Sequence, residues 1–214
     1  MWFHERDGRP DWNDAERHLR RDPVLRPIIN DVGPCTLAPL PDPFATLVLS
    51  IFSQQLSVKG AETLFHRFRS RLPRQKVTAK GVAAALDGPA AWDDETIRQC
   101  GISRQKRSYL VDLADRVVSR RLQLTKLGSL DDDAVIEALT AVKGIGVWTA
   151  QMYLMFVLCR PDVLPTADLG LQIAVEKAYE LEARPKPRAV DAIAEPWAPY
   201  RTVATWYLWR FKEG

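Results

Sequence analysis

Asp168 is the residue in this chain best placed to do chemistry. It lies in Leu164-Pro165-Thr166-Ala167-Asp168-Leu169, where a helix begins. A carboxylate held there can take a proton from water or stabilise positive charge developing beside it. It can equally be the cap of that helix, a common role for aspartate. A second signal stands upstream, in Leu139 to Ala150. A helix runs into Lys143-Gly144-Ile145-Gly146, and another helix starts at once. Two glycines in so tight a turn let the backbone come close to a neighbour and adopt positive φ. The first amides of the second helix, Val147 to Thr149, then point outward with the positive end of its dipole, a geometry that suits a phosphate oxygen. Ile145 is expected to plug the hairpin into a helical core, and Ala150 keeps the second helix slim. A lone Gly-x-Gly is usually only a turn; helix, Gly-Ile-Gly, helix is a sharper pattern.

The elements that must position these residues read as helices from about residue 44 onward. Ser103 is a plausible N-cap, followed by apolar pairs at Tyr109/Leu110, Leu113/Ala114 and Val117/Val118. Leu130, Ala134/Val135 and Ala138/Leu139 repeat the pattern, with Asp131, Asp132 and Asp133 in the first turn, where a helix dipole favours acids. Further helices are predicted at Phe44–Leu56, Val58–Leu72, Thr78–Leu86, Asp94–Cys100, Val147–Val157, Leu169–Leu181, Arg188–Ala194 and Tyr200–Phe211. No stretch alternates with period two, so the fold class is all-α. Before Phe44 a short helix is expected at Asp22–Asn30. Pro34, Pro39, Pro41 and Pro43 exclude a continuous helix after it.

Composition narrows the classes. Of 214 residues, 46% are hydrophobic, ordinary for a globular chain. No apolar run reaches the ~18 residues a bilayer span needs, and Met1 to Asp7 has no apolar signal core. A soluble, intracellular protein is the expectation. Cys35, Cys100 and Cys159 lie far apart with no C-x-x-C pair, which points to reduced thiols rather than a disulfide framework or zinc site. The net charge of +3 says little, but its distribution says more. Lys59 to Lys80 holds seven Lys/Arg and one acid, and Arg98 to Lys126 eight against two. One basic face could meet a phosphate backbone, or it is a solvated helical surface.

The hairpin, with an aspartate 22 residues after Gly146, resembles the helix-hairpin-helix superfamily of DNA glycosylases. Three more segments agree. Ile51 to Ala61, containing Gln54-Gln55-Leu56, looks like the segment that inserts a side chain into the DNA stack. Gly101 to Lys106, leading into Tyr109-Leu110, is similar to the family's next helix. Trp197 to Ala204, running on to Trp209, looks like the C-terminal segment of the 3-methyladenine branch. The resemblance covers about residues 44 to 211. Members that also cleave the strand carry a lysine two residues after the second hairpin glycine; here that residue is Trp148. Lys143 precedes the hairpin and does not match. Other branches hold an iron–sulfur cluster through cysteines after the aspartate, and none follows Cys159 here. The branch implied is monofunctional, needs no cofactor and has no iron–sulfur cluster.

The resemblance implies a mechanism. The enzyme flips an alkylated nucleotide out of duplex DNA, which costs a few kcal/mol. Gln55 fills the gap, or Leu56 does, while Gln54 sits at the pocket mouth. A base alkylated at N3 or N7 is cationic, and indoles attract it by ~0.5–2 kcal/mol. Trp148 and Trp209 match the family's pocket aromatics, Trp206 shares the last helix, and Met152 stands where some relatives have an aromatic. Asp168 stabilises the oxocarbenium-like sugar and orients or deprotonates the attacking water. Lys143, Gly144, Ile145, Gly146 and Thr149 form the DNA-binding hairpin, whose first residue is often proline in the family. The backbone carbonyls of Thr140, Val142 and Ile145 are implied to hold Na+ or K+. The implied architecture is two helical subdomains with the active site in the cleft between them: 44–164, and 1–43 with 165–214. The implied partner is double-stranded DNA with alkylated bases, met by a monomer in the cytoplasm, at the nucleoid in a bacterium. A bifunctional glycosylase/lyase and a non-catalytic lesion-binding protein remain as alternatives.

Overall fold

The computed structural model describes residues 10–213. Met1 to Asp7, expected to lack a signal core, lie outside that range. Among the described residues every regular element is helical. In chain order these are α1 (Asn13–Leu19), α2 (Leu25–Val32), α3 (Pro43–Ser53), α4 (Val58–Arg71), α5 (Ala79–Leu86), α6 (Asp94–Gln99), α7 (Arg104–Val118), α8 (Asp132–Thr140), α9 (Val147–Phe156), α10 (Leu169–Ala178), α11 (Pro187–Ala194) and α12 (Arg201–Glu213). None of them is long and apolar enough to cross a membrane.

Most starts are set by a short polar side chain. Asp42, Ser57, Thr78, Asp93, Ser103 and Asp131 each accept a hydrogen bond from the amide three residues on, beginning α3 to α8. Such a cap stabilises a helix by ~1 kcal/mol. Ser103 caps α7 as read, while Asp131, expected within the first turn of its helix, is instead the residue that caps it. Helix α3 stops at Ser53, three residues before the predicted Leu56. There Gln54 turns extended (φ −60°, ψ 125°) and Gln55 becomes left-handed (φ 61°). Helix α2 starts at Leu25, later than Asp22, because Asp22 Oδ1 instead accepts from the Val24 and Leu25 amides ahead of it. Helix α1 was not expected: it is short and mostly polar, and buries only Ala15 and Leu19.

The chain divides into two compact units, one comprising Leu40–Tyr153 and the other the segments up to Pro39 and from Leu154 onward. In the first, α7 packs on α3 and α5, and α3 packs on α4. Its core includes a ring cluster in which Phe52 meets Phe65 at 5.9 Å and Phe68 at 5.3 Å, with Trp92 5.6 Å beyond Phe68. In the second unit α12 packs on α1, α2 and α10. Every residue from Thr202 to Trp209 is buried, as befits a helix surrounded on all sides. The segment after α9 belongs with α12. The Thr202 hydroxyl donates to the Arg160 carbonyl (2.6 Å) and accepts from the Val163 amide (2.9 Å), and Arg201 forks onto Asp162 at 2.7 Å.

Candidate functional site

Asp168 is the N-cap of α10, and its Oδ1 accepts from the Leu171 amide at 2.6 Å. The capping reading of this residue is therefore correct as far as it goes. The same Oδ1 also accepts from the indole Nε1 of Trp209, at 3.0 Å, on α12. Two donors on one oxygen fix the rotation of the carboxylate, which a capping role alone does not require. The loop before it is tied as well, since Gln172 Nε2 donates to the Thr166 carbonyl at 2.9 Å. A β-carbon at Gly170 would stand 3.0 Å from Asp168 Oδ1, 3.2 Å from Trp209 Nε1 and 3.5 Å from Lys212 Nζ. A side chain at that position would crowd the carboxylate and its indole partner.

The indoles differ in what they offer. Trp209 is 8% exposed and lies near-parallel to Phe156, with ring centroids 6.0 Å apart. Trp148, on the first turn of α9, is 44% exposed. Trp206 is buried, and the guanidinium of Arg210 sits 5.0 Å above its ring. That cation covers one face of the ring, and the burial of Trp206 places it in the packing of α12. Met152 is also buried, one turn along α9 from Trp148.

In the other unit the hairpin is built from unequal glycines. Gly144 has φ +79°, and a β-carbon there would lie 2.2 Å from the ring of Tyr109. Both the left-handed backbone and the close approach demand glycine. Gly146 has neither feature: its φ is not in the left-handed region and nothing lies within 4 Å of its β position. The reading that both glycines serve the turn is corrected on this point. Gly146 leaves open space immediately before α9. It also leaves that helix without the side-chain cap that the preceding residue supplies for α3 to α8 in the same unit. Ile145 is buried, as the plug reading required, and so is Thr149, while Lys143 and Val147 are exposed.

The expected insertion segment borders this hairpin. Gln54 Nε2 donates to the Gly144 carbonyl at 2.7 Å. Gln54 is thus a brace of the hairpin, a use that its expected place at a pocket mouth did not include. Gln55 and Leu56 are exposed, and left-handed Gln55 forms the tip of the turn. Three side chains of α7 that were not among the expected site residues complete the arrangement. Lys106 Nζ donates to the Phe52 carbonyl at 2.8 Å, and burial pushes its ammonium below the usual lysine range. Tyr109 lies against Gly144 and accepts at its hydroxyl from Gln105 Nε2. Asp112 Oδ2 accepts from the Lys143 amide and from Arg116 Nε, both at 2.9 Å. Burial works against the Asp112 carboxylate, but those two hydrogen bonds outweigh it and hold the group below the ordinary range.

The carbonyls of Thr140, Val142 and Ile145 offer only neutral oxygen donors. Val142 accepts from the Ile145 amide at 3.1 Å, which leaves its second lone pair for another partner. Hard, uncharged oxygens of this kind fit a monovalent cation better than a transition metal. Among the described residues no group of three or more His, Cys, Asp or Glu could hold a metal ion.

The chain thus combines a glycine hairpin between two helices, braced from α7, with a carboxylate-capped helix later in the sequence. Residues 48–199 match the family model of the HhH-GPD superfamily base excision DNA repair proteins, and the chain belongs to that superfamily. Among curated relatives, the alkylbase DNA glycosidase-like protein mag2 of Schizosaccharomyces pombe is 29% identical over 206 residues, 94% of this chain and 93% of the relative. DNA-3-methyladenine glycosylase 1 of the same yeast is 34% identical over 170 residues, 79% of this chain and 72% of the relative. The solved structure of S. pombe 3-methyladenine DNA glycosylase (Mag1) in complex with abasic DNA superposes with a TM-score of 0.82 at 31% identity, covering 94% of this chain and 98% of that one.

Proposed function

We propose that this protein is a monofunctional DNA glycosylase of base excision repair, which excises alkylated purines of the 3-methyladenine and 7-methylguanine type. The observation that carries the reading is the Asp168 carboxylate, aligned by Leu171 and Trp209 in a chain of this superfamily. A lesion base inside the duplex is out of reach, so the nucleotide must first be flipped out at a cost of a few kcal/mol. Gln55, with Leu56 beside it, fills the vacated space. Gly146 and the first amides of α9 receive a backbone phosphate, with Lys143 adding charge. Trp148 supplies an exposed indole for the cationic base, and Trp209 combines its indole face with an N–H that orients Asp168.

An alkylated base leaves without a strong acid, because its positive charge already weakens the glycosidic bond. The electrons of that bond depart with the base, and the sugar becomes oxocarbenium-like. Asp168 stabilises that charge and accepts the proton of the attacking water. The products are free base and an abasic site in an uncut strand. Trp148 at the position of the lyase branch's lysine supports hydrolysis without strand cleavage. A Na+ or K+ ion on the carbonyls of Thr140, Val142 and Ile145 would stiffen the hairpin. A monomer acting where the genome lies, in the cytoplasm or at the nucleoid of a bacterium, suits this activity.

The test is release of free base from methylated duplex DNA. Release that leaves alkali-labile sites but no nicks, and no borohydride-trapped adduct, supports the reading. A trapped adduct would make the protein a glycosylase/lyase, and tight lesion binding with no release would make it a recognition module.

A further inference from the structure

Lys106, Tyr109 and Asp112 recur every three residues along one side of α7. Lys106 grips the last turn of α3 through the Phe52 carbonyl, one of the carbonyls a helix end leaves without an internal partner. Tyr109 and Asp112 grip the hairpin, one against Gly144 and the other through the Lys143 amide. The Gln54–Gly144 hydrogen bond closes the circuit. Two elements 90 residues apart in sequence are thus tied to each other at 2.7 Å and to a single helix at 2.8 and 2.9 Å. One of them ends in the exposed, left-handed Gln55.

We infer that Lys106 is a positioning residue for base flipping: through the Phe52 carbonyl it holds the Gln55–Leu56 turn in fixed register with the Lys143–Gly146 hairpin. This rests on the reading of the hairpin as a phosphate grip and the turn as a wedge. A wedge works only if it cannot recoil when driven into the stack. The reaction force on Gln55 passes into Phe52 and from there into Lys106, while the hairpin is anchored on the same helix. A half-buried ammonium is costly to keep in a position where a hydrocarbon could pack. Its return here is a charge-assisted bond to a carbonyl at the root of the wedge. Lys106 acts on the geometry of flipping and makes no claim on the bond cleavage that follows.

The test compares wild type with Lys106→Met and Lys106→Arg in single-turnover excision at saturating enzyme. One duplex holds the lesion in a well-stacked, paired site; the other holds it opposite a destabilising mismatch, where less unstacking is needed. A 2-aminopurine beside the lesion reports unstacking by its fluorescence. Lys106→Met should slow excision from the stacked duplex by ~10-fold or more and quench the fluorescence rise. Its deficit should shrink on the mismatched duplex, and its affinity for undamaged duplex should stay within about twofold, since no phosphate contact is lost. Lys106→Arg should recover most of the rate. An equal deficit on both duplexes, or an unchanged fluorescence rise, would overturn the inference. If Lys106→Met does not fold, Gln54→Ala cuts the other tie and should show the same context dependence. If the wild type flips but releases no base, the glycosylase reading fails, and the fluorescence comparison still decides the role of Lys106.

Discussion

Trp209 Nε1 donates a hydrogen bond to Asp168 Oδ1 at 3.0 Å, linking α12 to the first residue of the α10 cap. An indole N–H that is nearly buried must find an acceptor, and here it finds the one carboxylate whose position matters most for the proposed chemistry. Because the Leu171 amide addresses the same oxygen, the carboxylate plane is set by backbone and side chain together. The helix cap is therefore also the group proposed to act on the sugar, and substitutions can separate the two roles.

Asp168→Asn keeps an oxygen that can accept from both Leu171 and Trp209, and Asn caps helices about as well as Asp. Thermal stability should fall by no more than ~0.5 kcal/mol. Excision should drop by ~10²-fold or more, because the charge that stabilises the sugar cation is gone. Base release and melting temperature, measured on one preparation, check this. Loss of both together would mean that Asp168 is structural only.

Trp209→Phe removes the donor and keeps a ring able to lie against Phe156. The carboxylate loses that restraint, and excision should slow by ~10-fold, the cost of a hydrogen bond to a charged acceptor. Binding of abasic duplex should change little. Trp209→Ala should instead destabilise the fold by ~3–5 kcal/mol, since it empties a large buried site on α12. Rates and unfolding curves for the two variants separate orientation from packing.

Much of the fold is legible in the residues themselves. Ser103 and Asp131 announce their helices by residue type and position, and Gly-Ile-Gly and Asp168 each stand out by residue type and local context. What escaped was long-range. Nothing local distinguishes Lys106 and Asp112 from charges on a solvated helix face, because their partners, Phe52 and Lys143, lie 54 and 31 residues away. A three-residue rhythm of polar residues beside buried Leu110 and Leu113 was the only available signal. Trp206 is ambiguous for the converse reason. Aromatic residues on one helix share a spacing whether they face a ligand or a core, and the burial of Trp206 and the Arg210 guanidinium over its ring show only in the fold. The end of α3 escaped because Gln54-Gln55-Leu56 is a fair helical sequence, and tertiary ties pull it into a turn.

Alkaline pH should weaken the fold. Burial pushes the thiols of Cys35 and Cys159 up to about 12 and about 11, and the Tyr153 hydroxyl up to about 12. Burial also raises Tyr179 and Tyr207. Each group holds its proton more tightly folded than unfolded. Its contribution is complete below the ordinary thiol and phenol range and is lost as pH rises toward the folded values. The free energy of unfolding should be flat in this respect up to about pH 9 and decline from there to about pH 12. Denaturant titrations at pH 8 and pH 10.5 check the sign. A higher stability at pH 10.5 would contradict it.

The two hairpin glycines should fail in opposite ways. Gly144→Ala places a β-carbon at φ +79° and 2.2 Å from the Tyr109 ring. Strain and overlap together should cost about 2–4 kcal/mol of stability, and DNA binding should weaken because the hairpin leaves its seat on α7. Gly146→Ala meets nothing within 4 Å and has no left-handed backbone to strain. Its stability should stay within about 0.5 kcal/mol of wild type. Its added methyl instead stands at the mouth of α9, where a phosphate oxygen must come within hydrogen-bonding distance of the amides. DNA affinity should fall several-fold, and the salt slope of binding should flatten by ~1 if one phosphate contact is lost. Unfolding curves and salt-dependent binding titrations on both variants give the answer. Unchanged binding by a stable Gly146→Ala would remove the first turn of α9 from the DNA interface.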